Sequence, residues 1–166
     1  EGQPVGVVKN LSYMAHITIS SNSTGIYNFL ENTISIIDNL EPSECHNKVK
    51  VFINGTWIGI TDDPINLYNE LKIKKYKGNI NIYTSIVFDY QRLEIRICND
   101  SGRLTRPVFK VTDGKLLITN DIIKKIKTQK LHWYDLISCI NLENSIVEYI
   151  DPQEQNMSLI AMKPQL

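Results

Sequence analysis

Apolar residues recur with two different periods along this chain, and the points where the period changes mark its elements. Ile26, Tyr27, Phe29, Leu30, Ile34 and Ile37 return at spacings of three, four and seven to eight, which predicts an amphipathic helix capped by Thr24. Before it, Val5 to Ile19 is largely apolar with small residues interspersed, and is expected as buried extended or irregular segments. A polar loop from Asp38 to Lys48 separates that helix from two β-prone runs, Val49 to Ile53 and Thr56 to Ile60, on either side of Asn54-Gly55. Asn-Gly tolerates positive φ at both central positions of a tight turn, so these runs predict a hairpin.

Asp63-Pro64 then supplies an N-cap with proline at the first helical position, and Ile65, Tyr68 and Leu71 mark one face of the helix. Lys72, Lys74, Lys75 and Lys77 followed by Gly78 close it, with positive charge at the negative end of the dipole and a glycine for the left-handed cap. Two strands follow, Ser85 to Tyr90 and Arg92 to Cys98. In the second, Leu93, Ile95 and Ile97 are expected on the buried face. Short strands are expected at Val108 to Val111 and Leu116 to Ile118, helices from Thr119 or Asn120 through Ile126 and over Trp133 to Ile140, and strands at Ile146 to Ile150 and Met157 to Met162. The fold class is α+β: β-rich, with mixed antiparallel hairpins and several short helices.

Composition narrows the function. The chain has 166 residues, 42% of them hydrophobic and 22% charged, as in an ordinary globular protein long enough to bury a core. No apolar run reaches the length of about 20 residues that spans a bilayer, and no signal peptide opens the chain; the sequence reads as intracellular, with no membrane partner. Lysine plus arginine and aspartate plus glutamate each number 18. A net charge of zero argues against a free-standing binder that works by neutralising phosphates. Cys45, Cys98 and Cys139 are odd in number and far apart, which fits free thiols.

No catalytic constellation emerges. His16, His46 and His132 are scattered, with no Cys, Asp or Glu at zinc-site spacing, and Cys45-His46 is a weak ligand pair at best. No phosphate-binding glycine loop or nucleophile elbow is present. Asp62 with Asp63, or Glu148 with Asp151, can be cast as acid and base, but helix capping explains the first pair better. The expectation is therefore no catalytic residue and no metal ligand. The lysine stretches Lys72 to Lys77 and Lys124 to Lys130 read as solvated helix ends before they read as nucleic-acid contacts. Arg103 and Arg106 sit three residues apart between Gly102 and Pro107, suited to a carboxylate within the chain, a carboxylate of a neighbouring domain or a phosphate; pairing within the chain is favoured. The residues alone support an α+β interaction domain, and a free-standing interaction module is the alternative to the reading that follows.

Four collinear blocks carry a resemblance. Glu1-Gly2-Gln3-Pro4-Val5-Gly6-Val7-Val8-Lys9-Asn10-Leu11 resembles the latter part of a T-P-E-G-Q-x-x-G-L-V-K-N-L signature, with Pro4 and Val5 departing from its commoner residues. Val51 to Gly59 is similar to V-F-[VIL]-N-G-x-W-x-G, Asp100 to Phe109 to D-x-G-R-x-x-R-P-[LV]-F, and Val147 to Asp151 with Ala161-Met162 to V-E-Y-[IL]-D…A-M. All four belong to the second-largest subunit of the eukaryotic, archaeal and large-DNA-virus class of DNA-directed RNA polymerases. Residues 112 to 131 match none of them.

The resemblance implies an internal fragment, since the first block starts in mid-signature. It divides the chain into the end of the fork region (1–20), a helix and loop linker (21–48), and two parts of the region called external 2 (49–112 and 113–166). It implies a nucleotidyltransferase that transcribes a DNA template into RNA from ribonucleoside triphosphates. The magnesium of that enzyme is held by the largest subunit and none of it by this segment. Partners are the largest subunit, smaller subunits, DNA and RNA, in a nucleus, cytoplasm or virion according to source. Glu1 and Gln3 match residues near the active centre. Gly55, Trp57, Arg103, Arg106, Tyr149 and Asp151 match residues expected to hold external 2 together and dock it.

Overall fold

The computed structural model describes residues 6, 10–138, 142 and 144–163. It is an α+β fold in which a mixed five-stranded sheet carries one core and a smaller antiparallel sheet carries a second.

The chain starts with a two-residue strand β1 (His16–Ile17), helix α1 (Thr24–Glu31), strand β2 (Ser35–Ile36) and a 3-10 turn over Ile37–Asn39. The N-cap of α1 is Ser23, and the oxygen Oδ1 of Asn22 accepts from the Thr24 amide at 2.9 Å; Thr24 is the first helical residue rather than the cap. The helix also stops well short of Ile37. Asn32 and Thr33 turn their side chains back onto the Asn28 and Phe29 carbonyls, which offers the backbone an alternative to another helical turn. Ile34 stays buried after the turn.

The hairpin forms as its turn residues dictate. Strands β3 (Val49–Ile53) and β4 (Thr56–Thr61) pair antiparallel across Asn54 (φ 48°) and Gly55 (φ 83°), the positive-φ pair of a type I′ turn. β4 also pairs with β2, and at Gly59 a Cβ would collide with the Ser35 carbonyl. The close approach of β2 thus requires this glycine.

Helix α2 (Pro64–Tyr76) starts with the Asp63 carboxylate accepting from the Asn66 amide at 3.1 Å. At its other end the Gly78 amide (φ 76°) reaches the Lys75 carbonyl at 3.1 Å and the Asn79 amide reaches Lys74 at 2.9 Å, a Schellman closure. Its buried face is Leu67, Leu71 and Lys75, with Tyr68 half-buried and Ile65 exposed. The stripe runs at i, i+4 and i+8, one residue's rotation from the expected face.

Strands β5 (Ser85–Asp89) and β6 (Glu94–Cys98) pair antiparallel, and β6 lies parallel to β3, giving the sheet order β2-β4-β3-β6-β5. Ile95 and Ile97 are fully buried, but Leu93 has φ 54° and belongs to the turn before β6. The first core joins α1, α2 and this sheet through Leu30, Val51, Ile53, Leu67, Leu71, Ile86, Ile95 and Ile97. Burying each such side chain contributes about 1.5–3 kcal/mol.

Strand β7 (Leu104–Phe109) is followed by the small ribbon β8 (Val111–Thr112) and β9 (Lys115–Leu116), helix α3 (Asn120–Lys127), helix α4 (Trp133–Ile137), strand β10 (Val147–Ile150) and helix α5 (Pro152–Asn156). β7 pairs with β1 through Leu104 and Thr105 and with β10 through Arg106 to Phe109. Pro107 therefore sits where β7 has one neighbour, so its missing N–H breaks no second ladder. The second core gathers Leu136, Ile137, Ile146, Val147 and Tyr149 under Ile122 and Ile126 of α3.

Three further expectations are corrected. α4 ends at Ile137 because Ser138 is extended. Met157 to Met162 is not a strand: Asp151 and Glu154 instead cap α5, and Leu159 and Met162 are exposed beyond it. The segment over residues 10–19 is largely exposed, with Tyr13 99% and Ile19 77% exposed and Thr18 alone buried; Val5, Val7 and Val8 lie outside the described residues.

Candidate functional site

The α5 capping box is the centre of the site. The Asp151 carboxylate oxygen Oδ1 accepts from the Glu154 amide at 2.8 Å, and Glu154 Oε2 accepts from the Asp151 amide at 3.4 Å. Both side chains are buried, where an unpaired carboxylate is prohibitively costly, so each needs further donors. Asp151 takes its donor from Arg103, whose Nη1 lies 3.4 Å from Oδ2. Arg103 also donates Nη2 to the Tyr83 carbonyl at 2.9 Å, and its Nε lies 2.9 Å from Asp100 Oδ1.

Glu154 takes its donors from α2 and β5. Its Oε1 accepts from Lys72 and Lys75, each at 3.3 Å, and from the Ile86 amide at 3.0 Å. Glu148 of β10 completes the cluster: its Oε1 meets Lys72 at 2.5 Å and Lys75 at 3.2 Å, and its Oε2 accepts from the Tyr76 hydroxyl at 3.0 Å. Lys75, 2% exposed, donates as well to the Tyr149 carbonyl at 3.0 Å. Two lysines thus face two carboxylates in a nearly dry setting.

The electrostatics follow from that geometry. Burial works to raise the Glu148 carboxyl, but Lys75 and Lys72 outweigh it and hold the group down at about 2. Burial works against the Lys72 ammonium, and Glu154 and Glu148 overcome it, pushing its pKa upward. The Tyr76 hydroxyl is pushed up by burial first and by Glu148 second. All of these groups keep the charge state that holds the cluster together at neutral pH.

An aromatic group sits beside it. The buried Tyr149 packs edge-on against Tyr83 at 5.0 Å, and His16 stacks on Tyr83 at 4.1 Å. The Tyr149 hydroxyl donates to the Met14 carbonyl at 3.3 Å and lies 3.4 Å from the Trp133 indole nitrogen. Arg106 lies at the edge, with Nε donating to Gln155 Oε1 at 3.0 Å.

Gly55 and Trp57 belong to a separate cluster at the hairpin. The Asn54 side chain makes two bonds to Asn99: its Nδ2 donates to the Asn99 side-chain Oδ1 at 2.8 Å, and its Oδ1 accepts from the Asn99 backbone N–H at 2.9 Å. Asn99 Nδ2 continues to the Ser21 carbonyl at 3.1 Å and to Ser23 Oγ at 2.8 Å. Trp57 donates to the Gly59 carbonyl at 2.8 Å and stacks near Phe52, with Lys50 over its ring at 5.0 Å.

Of the residues picked from sequence, Arg103, Tyr149 and Asp151 come together, Arg106 borders them, Gly55 and Trp57 do not join them, and Glu1 and Gln3 lie outside the described residues. Sequence reasoning missed Lys72, Lys75 and Glu154. The expectation that Lys72 to Lys77 is a solvated helix end is corrected for two of its members, which are ion-paired inside the fold. Two signals pointed there: Lys75 extends the Leu67-Leu71 stripe by four residues, and Asp151-Pro152-Gln153-Glu154 has the spacing of a capping box. Glu148 and Asp151 do not act on each other; each is occupied by basic partners. Among the described residues, no three His, Cys, Asp or Glu side chains come together as a metal site, no helix is long and apolar enough to cross a membrane, and Cys45 and Cys98 are free thiols.

Comparison with known proteins places this geometry. Residues 51–112 match the family model described as RNA polymerase Rpb2, domain 4. The chain is 36% identical over its whole length to the DNA-directed RNA polymerase II subunit RPB2 of Encephalitozoon cuniculi. It is 32% identical, over 99% of its length, to the DNA-directed RNA polymerase subunit 2 of Acanthamoeba polyphaga mimivirus, and 30% identical, over 98%, to the DNA-directed RNA polymerase III subunit RPC2 of Saccharomyces cerevisiae. In each case it spans 14% of the relative's length. The matched domain contains the hairpin and the Arg103 loop, and the alignments extend through the capping box; the chain belongs to the family of second-largest subunits of DNA-directed RNA polymerases.

Proposed function

We propose that this segment is a non-catalytic scaffold within the second-largest subunit of a DNA-directed RNA polymerase. The complete enzyme transcribes DNA into RNA from ribonucleoside triphosphates, together with a largest subunit that holds the catalytic magnesium and with smaller subunits. Residues 1–20 close the fork region, 21–48 link it to external 2, and 49–112 and 113–166 form external 2. Glu1 and Gln3 lie nearest the chemistry. Gly55, Trp57, Arg103, Arg106, Tyr149 and Asp151 hold the outer part together and dock it. The enzyme works in a nucleus, cytoplasm or virion according to its source.

The observation that carries this reading is the use made of the charged residues of the family blocks. Arg103 and Asp151 are consumed in a contact that ties the loop before β7 to α5, and Glu148 in contacts that tie β10 to α2. Groups held this way are positioned for rigidity, since a general acid or base must be free to exchange a proton with substrate. The test is Arg103→Ala in the complete polymerase. A scaffold role predicts less assembled enzyme, with an unchanged rate of single-nucleotide addition per assembled molecule. Full assembly with a large fall in that rate would contradict it.

A further inference from the structure

Asn54-Gly55 is the chain's single Asn-Gly pair, and both residues are exposed at the hairpin turn. Glycine has no Cβ to shield its backbone nitrogen, so that nitrogen can attack the carbonyl carbon Cγ of a preceding asparagine side chain. The N–Cγ bond forms as ammonia leaves, and water then opens the resulting succinimide to aspartate or isoaspartate. Water is the only co-reactant. Ring closure makes one geometric demand, that the side-chain amide swing onto the Gly55 nitrogen.

The fold ties that amide down at both ends. Asn54 Nδ2 donates to Asn99 Oδ1 at 2.8 Å, and Asn54 Oδ1 accepts from the Asn99 backbone N–H at 2.9 Å. Asn99 is itself 3% exposed. Its orientation is fixed because its Nδ2 faces the Ser21 carbonyl at 3.1 Å, a group that only accepts. Neither amide can turn over without setting like groups against each other.

We propose that Asn54 is a site of spontaneous deamidation gated by Asn99, and that the conversion locks the gate open. While both bonds hold, Cγ is kept from the Gly55 nitrogen; when the hairpin end frays, the two meet. Conversion replaces Nδ2 with an oxygen of a carboxylate, which is ionised at neutral pH and faces Asn99 Oδ1 with no proton between them. Asn99 cannot answer by rotating, because the Ser21 carbonyl needs its Nδ2. The isoaspartate product also lengthens the backbone within a two-residue turn, whose geometry depends on its length. Either product loosens Ser21 and Ser23, which Asn99 holds beside the hairpin. Nothing in this chemistry depends on the scaffold role.

The test incubates the chain in mildly alkaline buffer, with and without urea, and follows position 54 by peptide mass spectrometry. In urea Asn54 should convert first among the asparagines. In the folded chain it should survive about tenfold to a hundredfold longer, the population ratio that two hydrogen bonds support. Asn99→Ala removes one of those bonds and leaves Asn54-Gly55 intact, and should speed folded-state conversion by about fivefold or more. Glu154→Gln weakens the fold away from the hairpin and should leave the rate within about twofold of the parent, because the gating motion is local. The locked state is tested by Asn54→Asp. There the Ser21 amide, bonded to the Asn99 carbonyl at 3.2 Å, should lose hydrogen-exchange protection by about fivefold or more. If Asn99→Ala melts below the incubation temperature, the urea comparison and Asn54→Asp still decide. Equal conversion with and without urea, no acceleration in folded Asn99→Ala, equal acceleration in Glu154→Gln, or unchanged Ser21 protection in Asn54→Asp would each overturn the proposal.

Discussion

Asp151 and Glu154 cap the same helix turn reciprocally, and each gives its remaining oxygen to a different part of the fold. Asp151 Oδ2 faces Arg103 of the loop before β7, and Glu154 Oε1 faces Lys72, Lys75 and the Ile86 amide of the first core. One short helix thereby fastens the sheet that carries the second core to the sheet and helix that carry the first.

Glu154→Gln keeps the shape of that fastening but removes the charge between two buried ammonium groups. Breaking a buried pair by removing one partner costs about 3–5 kcal/mol. The urea midpoint should fall accordingly with an unchanged slope, whereas Lys77→Met, at an exposed position, should stay within about 0.5 kcal/mol of the parent.

Acid should loosen the same cluster. Glu148 is held at about 2 in the fold, against about 4.3 in an unfolded chain. A depressed folded value contributes stability that is fully present above the unfolded value and is lost as pH falls through the folded one. This contribution, about 3 kcal/mol, should therefore disappear between about pH 4.5 and about pH 2. Melting curves taken across that window should show the loss. Glu148→Gln should be less stable at neutral pH and lose less on acidification.

At the hairpin, Gly55 holds φ 83°, a region in which a Cβ costs about 1–2 kcal/mol. Gly55→Ala should lower stability by that amount. Asn54→Ala should cost more, because it also takes away both bonds to Asn99 and so loosens the Ser21 and Ser23 attachment. Thermal denaturation of the two variants ranks them directly.

Several local signals were legible in the sequence, although the α1 cap is Ser23 rather than Thr24 and the Asp151-Glu154 capping box went unread. Asn54-Gly55 specified its turn, Asp63-Pro64 its cap, Thr119-Asn120 the start of α3 and Gly78 a helix stop. Other errors arose where tertiary contacts decide. Lys75 reads as a surface lysine until Glu148 and Glu154, more than 70 residues away, are brought against it. Apolar composition does not reveal that Tyr13, Ile17 and Ile19 face outward. Met157 to Met162 has strand-like residues, yet the Asp151-Glu154 capping box just before it forms a helix, and no strand follows among the described residues. The site shows the same division: the family blocks pointed to Arg103, Tyr149 and Asp151, while the charges that bind them to α2 became visible only in three dimensions.

The Lys72, Lys75, Glu148 and Glu154 cluster joins the two cores into one rigid scaffold. Native-state hydrogen exchange tests it most directly, by comparing amides of Ile95 in the first core and Val147 in the second under rising denaturant. A single rigid scaffold gives one opening free energy and one denaturant dependence for both amides, and their separation in Glu154→Gln. Independent opening of Val147 in the parent chain, several kcal/mol below Ile95, would contradict it.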